Sequence, residues 1–173
     1  KSEKIMVLNE ERLEATLILT KMINRPKEDI MKFALEEGVR LTNSTIGYLH
    51  LVNPKKEGEE TQLRLFLWSS MVHDKCSAVI MAKYPLSEAG CWADSVRFKT
   101  PVVHNDYKNF EGKKPLPEGH IYLINHMSVP VLDEEDNVVV VAGVGNKDGN
   151  YDSSDIRQLS IFMNSMWDII KNK

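Results

Sequence analysis

The sequence has few cysteines and no long hydrophobic run, and both shortages exclude whole classes of protein. Its two cysteines, Cys76 and Cys91, are too few for a disulfide framework and do not form a C-x-x-C pair. Reduced thiols are therefore expected. No apolar run approaches the roughly twenty residues that a membrane-spanning helix needs. We therefore expect a cytoplasmic protein without direct membrane contact.

The sequence also lacks an excess of charge of one sign and the common catalytic motifs. The 22 Lys and Arg residues nearly balance 25 Asp and Glu residues, giving a net charge of −3. Without a basic stripe, nucleic acid is not the expected partner. The chain contains no P-loop, G-x-S-x-G or H-E-x-x-H motif. The interpretation is therefore a non-catalytic domain.

What is present is the composition of one ordinary globular domain spanning residues 1–173, with 42% hydrophobic and 27% charged residues. The chain starts without Met and stops within a predicted helix, so we expect a segment of a larger protein. We divide it into an N-terminal helix at 1–24, a core at 25–150 and a C-terminal helix at 152–173.

Apolar periodicity predicts helices at both ends and strands in the middle. Helices are predicted at 3–23, 27–42, 86–97 and 152–171, with a short helix at 71–82. Strands are predicted at 45–52, 62–69, 100–104, 121–132 and 138–146, and a surface loop at 108–119. Asp152, Ser153, Ser154 and Asp155 offer N-cap residues for the last helix. Together these elements predict the α+β class with a mostly antiparallel sheet.

Several motifs, in this order and at this spacing, carry a resemblance to a known family. They are CWADSVR at 91–97, TPVVHNDY at 100–107, HMSVPV at 126–131, VVVVAGVGNK at 138–147 and YDSSDIRQL at 151–159. From about residue 10 to 170 the chain resembles GAF domains, in particular the subgroup found in bacterial and archaeal sensor histidine kinases.

The resemblance implies a GAF-like sheet of five or six strands. The N- and C-terminal helices would pack on one face, and a ligand pocket walled by residues 70–126 would lie on the other. GAF domains bind cyclic nucleotides, bilins, haem or small organic molecules, and some bind nothing. Asn146-Lys147 is not followed by the Phe-x3-Asp-Glu pattern of cyclic-nucleotide members, and the Cys-His dipeptide typical of bilin attachment is absent.

A dense polar cluster follows the strand at 100–104 and is the main candidate for the pocket rim. His104, Asn105 and Asp106 offer donors and acceptors for a small polar ligand. The alternative is an Asx-type turn that ends the strand, with Asp106 capping local amides. Tyr107 and, on the next strand, His126 complete the candidate lining.

Further candidates come from the cysteine, the arginine and the tryptophans nearby. Arg97 could meet an anionic ligand or pair with Asp94 or Asp106. Trp68 and Trp92 could stack on a flat ligand or belong to the core. The predicted ligand-binding set is Trp68, Cys91, Trp92, Arg97, His104, Asn105, Asp106, Tyr107 and His126.

One pair of residues suggests haem as an alternative ligand. His73 lies three residues before Cys76, within reach of one ligand if the segment is helical. The pair lacks the C-x-x-C-H attachment pattern, and a metal site needs more ligands than this segment supplies. Haem or redox sensing is therefore kept as a second alternative, with no metal site predicted.

Heptad-like seams in the two terminal helices suggest a parallel homodimer. The alternative is that both seams cover the domain's own sheet. The seams are Ile5, Leu8, Ala15, Leu19 and Met22, interrupted by Arg12, and Ile156, Leu159, Met163, Met166 and Ile170.

The sequence therefore predicts a sensory input domain of a signalling protein. It would bind a small molecule and relay binding through its terminal helices to a histidine kinase domain in the same chain. The first alternative is a ligand-free dimerisation scaffold.

Overall fold

Six strands form one antiparallel sheet in the order β3-β2-β1-β6-β5-β4. The computed structural model describes residues 2–53, 58, 60–69, 83–88, 90–110 and 123–173. The strands are β1 (Ile46–Asn53), β2 (Gln62–Trp68), β3 (Lys83–Pro85), β4 (Val102–His104), β5 (His126–Leu132) and β6 (Val138–Gly145). The predicted α+β class and mostly antiparallel sheet are confirmed.

Four α-helices accompany the sheet in the described residues. They are α1 (Ser2–Lys21), α2 (Lys27–Leu41), α3 (Asp94–Phe98) and α4 (Ser153–Ile170), with 3-10 turns at Leu86–Glu88 and Cys91–Ala93. None of these helices is long and apolar enough to cross a lipid bilayer. The terminal helices agree with the predicted ones to within two residues.

The helix predicted at 86–97 is not continuous: its second half is helical from Cys91 on, but the segment is broken near Gly90. That residue adopts an extended backbone with φ −73° and ψ −168°, which interrupts the helical ladder. The guanidinium of Arg97 donates to the carbonyl oxygens of Gly90 and Leu86 at 2.9 and 2.8 Å. A charged side chain therefore satisfies carbonyls that a continuous helix would have satisfied with backbone amides.

Other differences lie at strand ends. The strand predicted from residue 121 begins only at His126. Just before it, the amide of Ile124 donates to the Asn146 side chain at 2.8 Å rather than to a neighbouring strand. The short strand β3 was not predicted. The short helix predicted at 71–82, and residues 111–119 of the predicted loop, lie outside the described residues.

Strand alternation places the main hydrophobic core on one face of the sheet, beneath α2 and α4, and α1 packs on these two helices. Ala15, Leu19, Leu159, Met163 and Met166 of the predicted heptad seams lie within this core and are at most 1% exposed, whereas Ile5 at the start of the α1 seam is 37% exposed. The interruption at Arg12 is explained inside the domain, since its guanidinium donates to Gln158 of α4 at 2.8 Å. The α4 seam therefore covers the domain's own sheet, and the buried part of the α1 seam covers α2 and α4.

Two glycines set how closely α2 approaches its neighbours. A Cβ at Gly38 would lie 2.9 Å from side-chain atoms of both Leu159 and Met163 on α4. A Cβ at Gly47 on β1 would lie 2.6 Å from the Val39 side chain of α2. Small residues at these crossings let the helix backbone lie close to both α4 and the sheet.

The predicted cap of the last helix is confirmed as a capping box. The Asp152 carboxylate accepts hydrogen bonds from the amides of Ser154 and Asp155 at 3.0 and 3.1 Å. The Asp155 carboxylate accepts from the Asp152 amide at 3.0 Å and pairs with the Lys147 ammonium at 2.7 Å. The first turn of α4 is thus fixed by side chains on both sides of the cap.

We expect Asp152→Ala to lower the free energy of unfolding by about 1 kcal/mol, the usual effect of losing an N-cap. Urea denaturation followed by circular dichroism measures the change. Asp148→Ala is the matched control, because Asp148 is an exposed aspartate in the same segment. Equal stabilities for the two variants would contradict a capping role for Asp152.

Candidate ligand-binding site

The face of the sheet opposite the main core carries a group of ring side chains. Along β1, Leu49 and Leu51 belong to the main core, whereas Tyr48 and His50 lie on the other face. We define the aromatic cluster as Tyr48, His50, Trp68, His104, Tyr107 and His126. Five of these side chains are 9% exposed or less, and Tyr48 is half-buried.

A glycine on β6 allows the central ring of the cluster to cross the sheet. Tyr48 lies beside Gly143 in the β1–β6 pairing. A Cβ at Gly143 would lie 1.9 Å from the Tyr48 ring, so any side chain there would displace the ring. The Tyr48 ring lies over Gly143 and extends past β6 to β5. There its hydroxyl is 2.7 Å from Nε2 of His126.

Three rings of the cluster are nearly parallel. His126 lies 6.0 Å from Tyr48 and 5.6 Å from His104 between ring centroids, at interplanar angles of 6° and 13°. The two histidines are direct partners in the β4–β5 pairing, which accounts for their alignment. Tyr48 also meets His50 and Trp68 edge to face, at 5.0 and 6.0 Å.

The outer end of the stack is formed by His104 and residues from the following turn. Its ring lies 4.4 Å from Phe110 and 6.4 Å from Tyr107. Tyr107 in turn hydrogen-bonds the Cys91 thiol through its side chain. Among the described residues, Nε2 of His104 has no hydrogen-bond partner, although its side chain is buried.

Burial disfavours the charged forms of four groups in or beside the cluster. It lowers the pKa of His50 to about 3. It also lowers the pKa of His104, against the opposing effects of a hydrogen bond to the Cys91 backbone and of Asp94. Burial raises the pKa of Tyr107 to about 12 and raises that of the Cys91 thiol. At neutral pH these four groups are neutral donors and acceptors.

Five of the nine predicted site residues meet in this one place. Trp68, His104, Tyr107 and His126 belong to the aromatic cluster, and Cys91 packs against it. Trp92 has its backbone in the adjoining 3-10 turn, and its side chain lies outside the described part of the molecule. His73 and Cys76, the residues of the haem alternative, lie wholly outside the described residues.

The structure places the other three predicted residues away from the cluster. Arg97 pairs with Asp94 at 2.6 Å, one of the two partners that the sequence suggested. Asn105 binds the backbone of Tyr151. Asp106 is exposed and accepts a hydrogen bond from Asn109 at 2.8 Å. The position of each is explained by protein contacts or by exposure to solvent.

Sequence reasoning missed Tyr48 and His50. Both lie two residues apart in a predicted strand, so the alternation of β1 was the available signal. Residues 45–52 were predicted only as a strand, and none of their side chains was named as a site candidate.

An open polar cleft of about 400 Å³ adjoins the outer end of β5 and β6. It is separate from the aromatic cluster. Its lining is Asn105, Ile124, Asn125, Asn146, Lys147, Asp148, Gly149 and Asn150. The described residues contain no group of three or more His, Cys, Asp or Glu side chains arranged to hold a metal ion.

Comparison with known proteins identifies the family. The family model described as GAF domain matches residues 24–171, and the chain belongs to this family. It is also 41% identical over 177 residues to a methyl sulfide methyltransferase-associated sensor of Methanosarcina acetivorans. The match covers 100% of this chain and 17% of that sensor.

Solved structures at low identity show the same fold. The GAF domain of a phosphoenolpyruvate-protein phosphotransferase from Coxiella burnetii has a TM-score of 0.72 at 11% identity, covering 94% of each chain. The GAF domain of a two-component sensor histidine kinase from Bacillus halodurans scores 0.63 at 13% identity, covering 83% of this chain and 92% of its own. A free methionine-R-sulfoxide reductase from Neisseria meningitidis has a TM-score of 0.71 at 10% identity, covering 98% of this chain and 93% of its own.

Protonation of the buried His50 makes stability depend on pH. Its folded pKa of about 3 lies below the ordinary 6.5, so the unfolded chain binds more protons between these values and stability falls as pH drops through this window. We expect His50 to account for a loss of about 2 kcal/mol in unfolding free energy between pH 7 and pH 5. Urea denaturation at both pH values measures it.

The control is His50→Phe, which keeps a ring of similar size and cannot titrate. Its loss between the two pH values should be smaller than that of the unsubstituted domain. Some loss will persist, because the pKa of His104 is lowered in the same direction. An identical pH dependence in both proteins would contradict a neutral buried His50.

Proposed function

We propose that this GAF domain is a sensory input module that binds a small, uncharged, flat molecule at the aromatic cluster. The observation that carries the proposal is the buried Nε2 of His104, which lacks a hydrogen-bond partner among the described residues. Leaving a buried polar atom unsatisfied costs about 1–3 kcal/mol. A ligand that hydrogen-bonds this nitrogen would recover that free energy.

The surroundings of His104 favour a flat and neutral ligand. The parallel rings of His104 and His126 and the edges of Tyr107 and Trp68 offer apolar and π surface. The lowered pKa of His104 leaves it uncharged, so it offers no countercharge to an anion. A neutral imidazole nitrogen exchanges one hydrogen bond with the ligand, as acceptor or donor according to its tautomer.

The comparisons support a signalling role. The relative from Methanosarcina acetivorans is named a sensor, and this chain spans about 17% of its length. One similar fold belongs to a two-component sensor histidine kinase. We propose that the domain is non-catalytic and belongs to a cytoplasmic sensor histidine kinase, with the kinase domain in the same chain as the output.

Ligand binding is tested by native mass spectrometry of the purified domain and by NMR titration with phenol. Phenol is a flat, neutral probe that carries one hydroxyl group. We expect resonances of Trp68 and His126 to shift on titration, and His104→Leu to weaken phenol binding by about fivefold to tenfold, the value of one buried hydrogen bond.

Asp106→Ala is the matched control, because this exposed carboxylate lies two residues from His104. It should bind phenol like the unsubstituted domain. Absence of both a co-purified ligand and any phenol shift would contradict the proposal and favour the ligand-free scaffold. An intense Soret absorption band in the purified protein would instead favour the haem alternative.

We also propose that the domain forms a parallel homodimer through α1. Met6, Leu13 and Leu17 are 60%, 64% and 56% exposed, and their spacings of seven and four residues place them on one side of the helix. Ala15 and Leu19, on the opposite side, are buried against the rest of the domain. A helix that is apolar on two opposite sides buries only one of them within its own domain. The other side is left for a partner to cover.

This interface differs from the one predicted from the sequence, whose seams lie mostly in the core. Leu13→Glu should dissociate the dimer by placing two like charges face to face near its axis, while circular dichroism shows an unchanged fold. Sedimentation equilibrium over a range of concentrations measures the mass. Ile23→Glu is the control, because Ile23 is 53% exposed beyond the end of α1. A monomer at every concentration would contradict the dimer.

A further inference from the structure

Each of the two stacked histidines has an asparagine as its chain neighbour. His104 is followed by Asn105, and His126 is preceded by Asn125. Both asparagines bind the backbone of residues 147–151, which we call the strap. The strap connects β6 to α4 and ends immediately before the N-cap residue Asp152.

Asn105 binds the end of the strap with two hydrogen bonds. Its Nδ2 donates to the Tyr151 carbonyl oxygen at 3.1 Å, and its Oδ1 accepts from the Tyr151 amide at 2.7 Å. The side-chain amide thus replaces the partner that a neighbouring strand would provide. It fixes the main chain one residue before the cap of α4.

Asn125 binds the beginning of the strap with three hydrogen bonds. Its Nδ2 donates to the carbonyl oxygens of Lys147 and Gly149 at 2.9 and 2.8 Å. Its Oδ1 accepts from the Lys147 amide at 2.9 Å. The Asn125 side chain is buried at 2% exposure, so these bonds are protected from competition with water.

The strap is connected just as directly to α4. Besides leading into the capping box, it carries Lys147, whose ammonium pairs with Asp155 in the first turn at 2.7 Å. The hydroxyl of Tyr151 hydrogen-bonds Ser44 at 2.7 Å, after the end of α2. A movement of the strap therefore changes contacts of the first turn of α4 and of the segment after α2.

We propose that Asn105 and Asn125 couple the aromatic cluster to the start of α4, as positioning residues of the sensory site. A displacement of the His104 or His126 backbone carries the adjacent asparagine with it. Because hydrogen bonds weaken steeply outside a narrow range of distance and angle, the strap must follow or lose them. The coupling rests on the proposed function only in naming a ligand as the natural cause of that displacement.

Substitutions can replace the ligand in the test. Tyr48→Phe removes the hydroxyl bonded to His126 and so disturbs the cluster without contacting the strap. The readout is amide hydrogen exchange, followed by NMR, at Ser154 and Asp155 in the first turn of α4. The four proteins compared are the unsubstituted domain, Tyr48→Phe, Asn125→Ala and the double variant, which together form a double-mutant cycle. Asn125 is chosen because it is the asparagine next to His126.

We expect Tyr48→Phe to speed exchange at these two amides by about threefold in the unsubstituted background, within the range set by one hydrogen bond. In the Asn125→Ala background the same substitution should have no effect. Asn150→Ala is the matched control, because Asn150 is an exposed strap residue. In that background the effect of Tyr48→Phe should persist. Asn125→Asp, which keeps the acceptor and loses the donor, serves if Asn125→Ala does not fold.

Two results would overturn the coupling. If Tyr48→Phe leaves exchange in α4 unchanged in the unsubstituted domain, the asparagines only hold the strap. An equal acceleration with and without Asn125 would mean that another route carries the effect. All of these proteins are studied without ligand. Failure of the coupling therefore leaves the proposed binding site intact, and failure of phenol to bind leaves the coupling intact.

Discussion

The contact between the Tyr48 ring and Gly143 is the constraint on which the arrangement of the aromatic cluster depends. In a sheet, a side chain normally stands over its own strand. The Cβ atoms of the neighbouring strand separate it from the strand beyond that neighbour. Here β6 has no Cβ at the crossing point. A ring from β1 therefore reaches a histidine on β5, and the side chains of three strands become one continuous stack.

Burial of that stack opposes stability as well as defining the site. On the face of the sheet covered by helices, aliphatic packing contributes free energy of folding. The opposite face, which we call the ring face, carries the aromatic cluster with three buried imidazoles. One nitrogen of these imidazoles, Nε2 of His104, has no described hydrogen-bond partner. Such groups are stabilising only when their hydrogen bonds are made. We interpret the imidazoles there as part of the proposed binding site.

The fold was largely predictable, because strand alternation and helical periodicity are local signals. The site was predictable only in part. Trp68, His104 and His126 were identified by residue type, but Tyr48 and His50 were hidden within an apolar strand. Asn105 has a ligand-like side chain whose partner, the Tyr151 backbone, lies 46 residues away in sequence. No local pattern reports such a contact, so a polar residue that binds the main chain looks the same as one that binds a ligand.

The strap contacts the segments next to the aromatic cluster and leads into α4, and the proposed coupling rests on these contacts. A packed core resists deformation, so a ligand on the ring face is not expected to move α4 through the aliphatic core beneath it. The strap passes around the end of the sheet and is held by five side-chain hydrogen bonds from the two asparagines. Directional bonds of this kind weaken with small changes of distance and angle. They form a described, directional connection between the segments next to the aromatic cluster and the start of α4.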